Sequence, residues 1–536
     1  MSFSALLKRG YLVSPDLNVE IDDEILNKLD SLKEKPIVIN NDFITSLNYL
    51  PEGINWREFE RSRVEFEKKK DAENYNTFID IIKYKSDEKI KTKVDLVMES
   101  VKIEPRLKLE HNEEFMNEII IVKEYKENIK KREVSDFVSY FKARYESLKK
   151  ILINRPELKN VISINRVLNK NDNEEAAIIG LINGINTTKN GNIILDIEDL
   201  SGKIKCIISK AKKEVYEESL DLVHDQVIGI VGNGSGEVIF VNNIIWPDIP
   251  SSNVMKKFDK DCYVVFTTDL HVGSKMFLEE EFLNFIKWLN GDYGDNLQKE
   301  ISKDVRYLIF GGDLVEGVGI YPGQENDLVI KDVREQYKKL SEYLSLIRKD
   351  IKIVSIGGNH DSIRLAEPQP RIDEKFAKAL YDLGTVTLLT NPSTINILSS
   401  ESFDGFNILM YHGSSYPFLA DTVESIRING RLDRADLIMK HNIRARHLGP
   451  THNTIQYIPD VEEDHLVIDK IPDIYLSGHI HKTTALNYRG VTLIGAGCWT
   501  EQTEDQEKRG IVPDPAKVVV VNLRTREVQI LNFKND

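Results

Sequence analysis

The stretch YVVFTTDLH, residues 263–271, sets the pattern of the fold, because a short apolar run ends there in an Asp-x-His pair. The pattern returns in RYLIFGGD (306–313), KIVSIGGNHD (352–361), FNILMYHG (406–413) and DIYLSGHIH (473–481). Each apolar run has the length of a buried strand. Ligands of open α/β sheets bind in the crevice beyond the strand ends. The sequence therefore predicts one site supplied by five strands.

Apolar residues at helical spacing lie between these strands and indicate alternating strands and helices. Two such stripes are Leu278, Phe282, Phe285 and Leu289, then Val333, Tyr337, Leu340, Leu344 and Ile347. A further apolar run, VTLIGAG, follows at 491–497. This alternation is typical of a layered α/β fold, which we expect over residues 251–536 as a layered β-sandwich.

Residues 175–250 have a different pattern, in which short β runs are separated by turn signals such as Asn190-Gly191 and Ser201-Gly202. Five short strands in succession predict a small barrel of the OB type. A barrel of this kind serves either as a packing module or as a contact for single-stranded nucleic acid. The sequence favours neither of these two roles.

The chain before the barrel divides by composition into three parts. We interpret residues 1–70 as a small, mainly helical domain, residues 71–134 as a charged linker rich in Lys and Glu, and residues 135–174 as a helical connector. The connector carries four apolar residues on one helical face: Phe137, Phe141, Leu148 and Leu152. Pro156 marks the end region of that helix.

The composition is that of a globular protein, with 41% hydrophobic and 29% charged residues among 536. Its apolar runs fall far short of the ~20 residues of a spanning helix, so we expect no membrane contact. The start, MSFSALLKRGYLVSPD, lacks the apolar core of a signal peptide. We therefore expect the protein in the cytoplasm.

Charge and cysteine content argue against two further classes of protein: those that coat nucleic acid, and those built on disulfides or thiolate zinc sites. The net charge of −14 argues against a protein that coats nucleic acid with a positive surface. The three cysteines, Cys206, Cys262 and Cys498, are far apart and form no Cys-x-x-Cys pair. This spacing indicates neither a disulfide framework nor a thiolate zinc site, so we expect all three in the core.

The five polar clusters carry seven side chains of the types that bind metals: Asp269, His271, Asp313, Asn359, His412, His479 and His481. A single histidine or aspartate after a strand is usually structural, for example as a helix cap. Five clusters in succession, each at a strand end, are a much more specific signal. Carboxylates, imidazoles and an amide oxygen suit Mn²⁺ or similar divalent ions. A glycine beside each cluster after the first allows close backbone approach.

The motifs DLH, GDLVEG, GNHD, YHG and GHIH resemble the five motifs of the calcineurin-like metallophosphoesterases. The match extends further, because WPDIP at the end of the barrel, GGNHDSIRLAEPQP and RARHLGPTHN resemble the small, exonuclease subunits of archaeal family D DNA polymerases. The resemblance covers residues 175–525 well and the first 170 only loosely. It implies a two-metal phosphoesterase domain.

The resemblance also implies how the ligands divide between two divalent ions. One ion would take Asp269, His271 and His481, and the other Asn359, His412 and His479, with Asp313 as the bridge. The ions would be Mn²⁺, with Mg²⁺, Fe²⁺ or Zn²⁺ as alternatives. Such a pair lowers the pKa of a shared water and clamps phosphate oxygens.

By the same resemblance, His360 is the catalytic residue that protonates the leaving O3′, a task that suits an imidazole. Asp361 either orients His360 or caps the next segment. Arg364 either contacts substrate phosphate or pairs with Glu367.

Arg446 and His447 belong to a short basic run that begins at Arg444 and precedes His452. Two interpretations of the run stay open. It either binds substrate or forms a solvated turn.

The implied function is a metal-dependent 3′ to 5′ exonuclease that proofreads within a two-subunit replicative polymerase. The implied partners are the large catalytic subunit, DNA with single-stranded 3′ ends, and the sliding clamp. The alternatives are a free-standing phosphatase or cyclic-nucleotide esterase, and a non-catalytic scaffold. Glu316-Gly317 stands where protein phosphatases carry Asp-Arg, which argues against that class, and the seven filled ligand positions argue against a scaffold.

Overall fold

The computed structural model describes residues 119–534 apart from 170–173, 453, 461, 504–505 and 508–510, together with residues 12–13, 25, 29 and 38–39. The chain divides into two compact units, residues 1–106 with 317–336 and residues 107–316 with 337–536. In the first unit, strands β1 (Leu12–Val13) and β2 (Val38–Ile39) pair in parallel. Ile25 and Leu29 are helical and buried. The rest of the predicted helical domain, and the predicted linker as far as residue 118, lie outside the described residues.

Strand β3 (Ile119–Glu124) corrects the end of the predicted linker, which the sequence interpretation extended to residue 134. The strand pairs antiparallel with residues 393–397, and Ile119 packs against the core there. The run IIIVKE folds this way because branched apolar side chains favour a sheet. The surrounding Lys and Glu residues obscured that signal.

Helix α1 (Val134–Leu152) begins one residue before the predicted start and is followed by a 3-10 turn (Pro156–Leu158) and helix α2 (Ile164–Leu168). Arg144 of α1 is fully buried, and its Nε lies 2.6 Å from Oδ2 of Asp464. Its Nη1 donates to the carbonyl oxygens of Asp225 and Pro450. One guanidinium thus joins α1, a loop of the barrel and the C-terminal domain.

The barrel consists of β4 (Glu175–Thr187), β5 (Ile193–Asp199), β6 (Gly202–Ile208), β7 (Val227–Ser235) and β8 (Val238–Ile245), with helix α3 (Lys213–Ser219) between β6 and β7. The strand order is β4-β5-β6-β8-β7, and the barrel is closed. Its interior is filled mainly by isoleucine, leucine and valine. Five strands were predicted and are present, whereas the OB type stays a prediction.

The C-terminal domain contributes the remaining elements. The strands are β9 (Tyr263–Thr267), β10 (Val305–Phe310), β11 (Lys352–Ile356), β12 (Val386–Leu389), β13 (Ser393–Ser400), β14 (Phe403–Met410), β15 (Ile474–Ser477), β16 (Thr484–Tyr488), β17 (Val491–Gly495), β18 (Lys517–Asn522) and β19 (Val528–Asn532). The helices are α4 (Glu279–Leu289), α5 (Asn296–Lys303), α6 (Val333–Ser345), α7 (Glu374–Asp382), α8 (Tyr416–Thr422), α9 (Glu424–Ile428) and α10 (Ala435–Ala445), with 3-10 turns at Gln324–Asn326 and Arg431–Asp433.

Two six-stranded sheets face each other in this domain, in the orders β12-β11-β10-β9-β18-β19 and β16-β17-β15-β14-β13-β3. Buried side chains of both sheets meet in one core, where Phe266 and Ile309 of the first sheet lie in the same cluster as Ile408 and Leu476 of the second. A second cluster packs α8, α9 and α10 on the outer face of the second sheet. The predicted layered α/β sandwich is confirmed.

The predicted site strands run in parallel within their sheets. Strands β9, β10 and β11 are mutually parallel, and β14 runs parallel to β15. Their carboxyl ends therefore bring the polar clusters of five strands together. Throughout the described ranges, every helix is too short or too polar to cross a bilayer. The three cysteines are buried and free, as the sequence predicted.

Candidate metal centre

The first half of the centre consists of Asp269, His271 and His481, whose ligand atoms lie within 4.8 Å of one another. Nε2 of His271 is 3.2 Å from Nε2 of His481, which is 3.4 Å from Oδ1 of Asp269. All three side chains are buried. One carboxylate and two imidazole nitrogens thus converge on a single point.

The second half consists of Asn359, His412 and His479. The ligand atoms of His412 and His479 lie within 4.8 Å of each other and of Asp313. Nε2 of His412 lies 3.1 Å from Oδ1 of Asn359 and 3.2 Å from Oδ2 of Asp313. The rings of His412 and His479 are 5.1 Å apart between centroids. The amide oxygen of Asn359 therefore faces the same point as the imidazoles.

Asp313 lies between the two halves. Its Oδ2 is 3.2 Å from Nε2 of His412 and 3.9 Å from Nε2 of His271. A single carboxylate oxygen is thus within reach of ligands from both halves. All seven residues singled out from the sequence are gathered here, in the grouping that the family resemblance implied.

The backbone at these positions is unusual. Five of the seven ligand residues have positive φ angles: Asp269 (51°), His271 (53°), Asp313 (49°), His479 (71°) and His481 (56°). Non-glycine residues rarely adopt this left-handed conformation, and local strain of this kind concentrates at functional sites. The tight turns after β9, β10 and β15 let residues spaced by two, such as His479 and His481, both contribute to the site.

Three glycines make room for the ligands. A Cβ added to Gly358 would lie 2.2 Å from Oδ1 of Asp313, and one on Gly478 would lie 2.6 Å from Oδ2 of Asp269. A Cβ on Gly312 would lie 2.7 Å from Nδ1 of His412. The backbone at all three glycines therefore packs closely against the clustered side chains, and its close approach to metal or phosphate stays a prediction.

The buried charges depend on one another. Burial raises the pKa of Asp313, but the imidazoles of His412 and His360 outweigh that effect and hold the pKa well below its usual value. Burial lowers the pKa of His412, but the Asp313 carboxylate raises it to about 10. For Asp269, the His481 imidazole overcomes burial and lowers the pKa. Both aspartates are thus charged and paired with the imidazoles around them.

The outer nitrogens of three ligand imidazoles contact groups that sequence reasoning did not place in the site. Nδ1 of His271 lies 2.8 Å from Oε2 of Glu316, and Nδ1 of His481 lies 2.9 Å from Nε2 of Gln506. Nδ1 of His412 lies 2.9 Å from the carbonyl oxygen of Gly311. The acceptors beside His271 and His412 direct Nε2 of these two rings towards the centre, whereas the amide nitrogen of Gln506 donates to Nδ1 of His481.

A signal for one of these groups was present in the sequence. Glu316 stands three residues after Asp313, in the motif GDLVEG. Gln506 follows no pattern that would have identified it.

His360 lies beside the first half, with its ring 4.6 Å from that of His271 and nearly perpendicular to it. Its backbone N–H donates to Oδ1 of Asp313, and its Nδ1 lies 2.9 Å from the carbonyl oxygen of Glu316. Burial lowers the pKa of His360. With Nδ1 engaged, Nε2 is the ring atom available to a substrate.

Asp361 does neither of the two things considered from the sequence. Its carboxylate accepts hydrogen bonds from the backbone N–H groups of Gly358 and Leu314 and from the hydroxyl of Tyr337, at 2.9, 3.2 and 2.8 Å. Burial raises its pKa to about 7. Asp361 thus ties the loop after β11 to the loop after β10.

Arg446 and His447 are a correction, because both are buried and engaged within the protein. Nε of Arg446 donates to the carbonyl oxygen of Ile468 at 2.7 Å, and Nε2 of His447 lies 2.8 Å from Oδ2 of Asp464. The run RARH ends α10 and turns these two side chains inward. They form neither a substrate contact nor a solvated turn.

Arg364 is half-buried and pairs with Glu127, while its Nη2 donates to the carbonyl oxygen of Pro368 at 2.7 Å. The alternative partner considered from the sequence, Glu367, is instead fully buried and accepts a hydrogen bond from Tyr411. A substrate contact by Arg364 stays a prediction.

Comparison with known proteins adds to this geometry. Residues 263–483 match the calcineurin-like phosphoesterase family. The chain is 40% identical to the DNA polymerase II small subunit of Methanothermobacter thermautotrophicus over 390 residues, which cover 73% of this chain and 78% of that protein. It is 36% identical to the DNA polymerase II small subunit of Thermoplasma acidophilum, and the match covers 75% of this chain and 78% of that protein. For Methanocaldococcus jannaschii the identity is 38%, and the match spans 73% of this chain but 64% of the relative.

Proposed function

Because the chain belongs to the family of archaeal DNA polymerase II small subunits, we propose that it removes nucleotides from the 3′ ends of single-stranded DNA and so proofreads within a polymerase assembly. The observation that carries this proposal is the centre itself, in which Asp313 lies between two half-sites of buried ligands. A phosphodiester is the kind of bond that paired metal ions are suited to hydrolyse.

The side chains fit two divalent ions. Asp269, His271 and His481 would hold one ion and Asn359, His412 and His479 the other, with Asp313 shared. Mixed imidazole and carboxylate ligands favour Mn²⁺, Fe²⁺ or Zn²⁺ over Mg²⁺, which prefers oxygen ligands and bound water. When bound, such ions lower the pKa of water and neutralise charge on phosphate oxygens.

His360 would act on the leaving group. The carbonyl oxygen of Glu316 engages Nδ1, so Nε2 is the atom that would deliver a proton to the leaving O3′. The Asp313 carboxylate, which accepts from the backbone N–H of His360, fixes that residue relative to the metal ligands. Loss of the imidazole should slow cleavage while leaving the ligands in place.

Polymerisation would be the task of a large partner subunit. The net charge of −14 supports a division of labour in which the partner holds most of the DNA. Contact with a sliding clamp would follow from the same assembly. Co-purification of the chain with a large polymerase subunit would support this part of the proposal, and its absence would favour a free-standing phosphoesterase.

The test of the nuclease proposal uses purified protein, Mn²⁺ and single-stranded DNA labelled at either the 5′ or the 3′ end. We expect 3′-labelled DNA to release labelled mononucleotide at once and 5′-labelled DNA to shorten stepwise. His360→Ala should slow release by about 10² to 10⁴-fold, the usual contribution of general acid–base catalysis. His224→Ala, an exposed histidine outside the centre, is the matched control. Hydrolysis of a generic phosphomonoester without nucleotide release would overturn the proposal.

A further inference from the structure

The barrel exposes an aromatic side chain on its outer face. Phe240 of β8 is 49% exposed. Among the described residues it is the one Phe, Tyr or Trp more than about a third exposed, and the others are packed or partly covered. An exposed phenylalanine ring presents a face on which a nucleic-acid base can stack.

Strand pairing places polar neighbours around this ring. Phe240 lies opposite Ile207 on β6 and opposite Asn233 on β7. Lys205, two residues before Ile207 and exposed, points to the same outer face. Asn233 accepts a hydrogen bond from Asn242 at 2.9 Å, and Lys212 donates to Asn242 in turn. The ring is therefore bordered by amide groups and by ammonium groups.

The charge of this face is opposite to that of the chain. The segment SGKIKCIISKAKK, residues 201–213, contains five lysines and no acidic residue, although the chain has a net charge of −14. Lys210 begins the loop after β6, where its backbone N–H donates to Asn192 in the β4–β5 turn. Lys189 lies in that same turn and is exposed.

Three acidic residues border the face. Asp196 lies opposite Lys205, the exposed Glu175 lies opposite Asn233, and Glu237 lies in the β7–β8 turn. The four lysines of the face outnumber them.

We propose that this face, which we call the Phe240 face (Lys189, Lys205, Ile207, Lys210, Lys212, Asn233, Phe240 and Asn242), binds single-stranded DNA. One unpaired base stacks on the Phe240 ring, while the lysines contact the phosphates on either side. Duplex DNA does not fit this mode, because its bases are already stacked on each other. The choice of DNA rests on the proposed function. The binding itself needs no metal ion.

The experiment measures binding of a fluorescent oligothymidylate to the full-length protein by anisotropy, with EDTA present so that no strand is cut. We expect Phe240→Ala to weaken binding at least about 5-fold, the effect typical of removing one aromatic stacking partner. Phe240→Tyr should restore most of the affinity. Leu200→Ala removes an exposed apolar side chain from the β5–β6 turn of the same barrel and should change nothing.

The lysines are tested by salt dependence. Lys205→Ala with Lys210→Ala should make log Kd less sensitive to log salt concentration, by about 0.7 for each lost phosphate contact. Equal affinity of Phe240→Ala and wild type, equal affinity for duplex, or no binding by wild type would each overturn the inference. Thermal melting of each variant separates lost contact from lost folding.

These outcomes are separate from those of the proposed function. If the wild type binds the oligonucleotide in EDTA but never releases nucleotides with Mn²⁺, the nuclease proposal fails and the Phe240 face stands. If it releases nucleotides but Phe240→Ala binds normally, the Phe240 face fails alone.

Discussion

The two halves of the metal centre are held in place by different means. In the first half, the outer nitrogens of His271 and His481 contact side chains, Glu316 and Gln506. In the second half, the outer nitrogen of His412 contacts a backbone carbonyl, and Gly312 and Gly358 pack directly against His412. One glycine, Gly478, also packs against Asp269 of the first half. What distinguishes the halves is therefore the outer contact of the imidazoles, which is made by side chains in the first half and by backbone in the second.

The largest effect is expected at Asp313, the residue that both halves share. Asp313→Ala should lower Mn²⁺-dependent nucleotide release by about 10³-fold or more, since a bound ion contributes several kcal/mol of charge stabilisation. The measurement is single-turnover release from 3′-labelled single-stranded DNA. Asp259→Ala, which removes an exposed carboxylate outside the centre, should leave the rate unchanged. A similar loss in both variants would mean that the shared position has no special role.

The next effect tests the second half. In Gly358→Ala the new methyl group would lie 2.2 Å from Oδ1 of Asp313 and 2.7 Å from Cε1 of His412. Release should fall by about 10² because misplaced ligands lose orientation. Gly202→Ala is the control, since its methyl group would meet its nearest neighbour at an ordinary 3.6 Å. An active Gly358→Ala enzyme would show that the close packing is dispensable.

A substitution beside the first half of the centre should have a smaller effect than the two substitutions above. Glu316→Ala removes the carboxylate beside His271 and should weaken Mn²⁺ binding by about 10 to 100-fold, as loss of an outer-shell partner usually does. The backbone carbonyl that engages His360 remains, so the rate at saturating Mn²⁺ should change less than the affinity. Calorimetric titration with Mn²⁺ measures the affinity of both half-sites for the ion. Unchanged affinity in Glu316→Ala, with Glu316→Gln as comparison, would contradict this role.

Gln506 should have the smallest effect. It makes a single hydrogen bond to His481, worth about 1 kcal/mol, so Gln506→Ala should weaken Mn²⁺ binding only about 5-fold. Gln529→Ala on β19 serves as the control in the same titration. A larger loss of Mn²⁺ affinity in Gln506→Ala than in Glu316→Ala would contradict the expected order of the two contacts.

The sequence singled out the candidate ligands better than their surroundings. The seven side chains follow apolar strands, so strand ends and residue types together pointed to them, and the structure brings all seven into one place. Gln506 was missed because it reaches His481 from a segment without periodic pattern. Glu316 stands in the motif GDLVEG, but its contact with His271 depends on the turn after β10, and such a tertiary contact leaves no periodic pattern.

Two other differences between the sequence predictions and the structure also arise from tertiary packing. Arg446 and His447 were candidates for substrate binding or for a solvated turn, but the end of α10 turns them into the interior, where they contact Asp464 and a backbone carbonyl. The strand at Ile119–Glu124 was missed because Lys and Glu residues surround its short apolar run, and its partner β13 lies far away in the sequence. A run of charged residues in the sequence shows only composition, whereas the burial of a side chain depends on the packing of the whole fold.

If two ions occupy separate half-sites around Asp313, each half should lose its ion independently of the other, and metal stoichiometry measures this loss. Wild type, His481→Ala and His479→Ala would be loaded with Mn²⁺, desalted and analysed for metal per chain. We expect one ion fewer in each single variant than in the wild type, and two fewer when both substitutions are combined. Loss of all bound Mn²⁺ in either single variant, or no loss in both, would contradict this expectation.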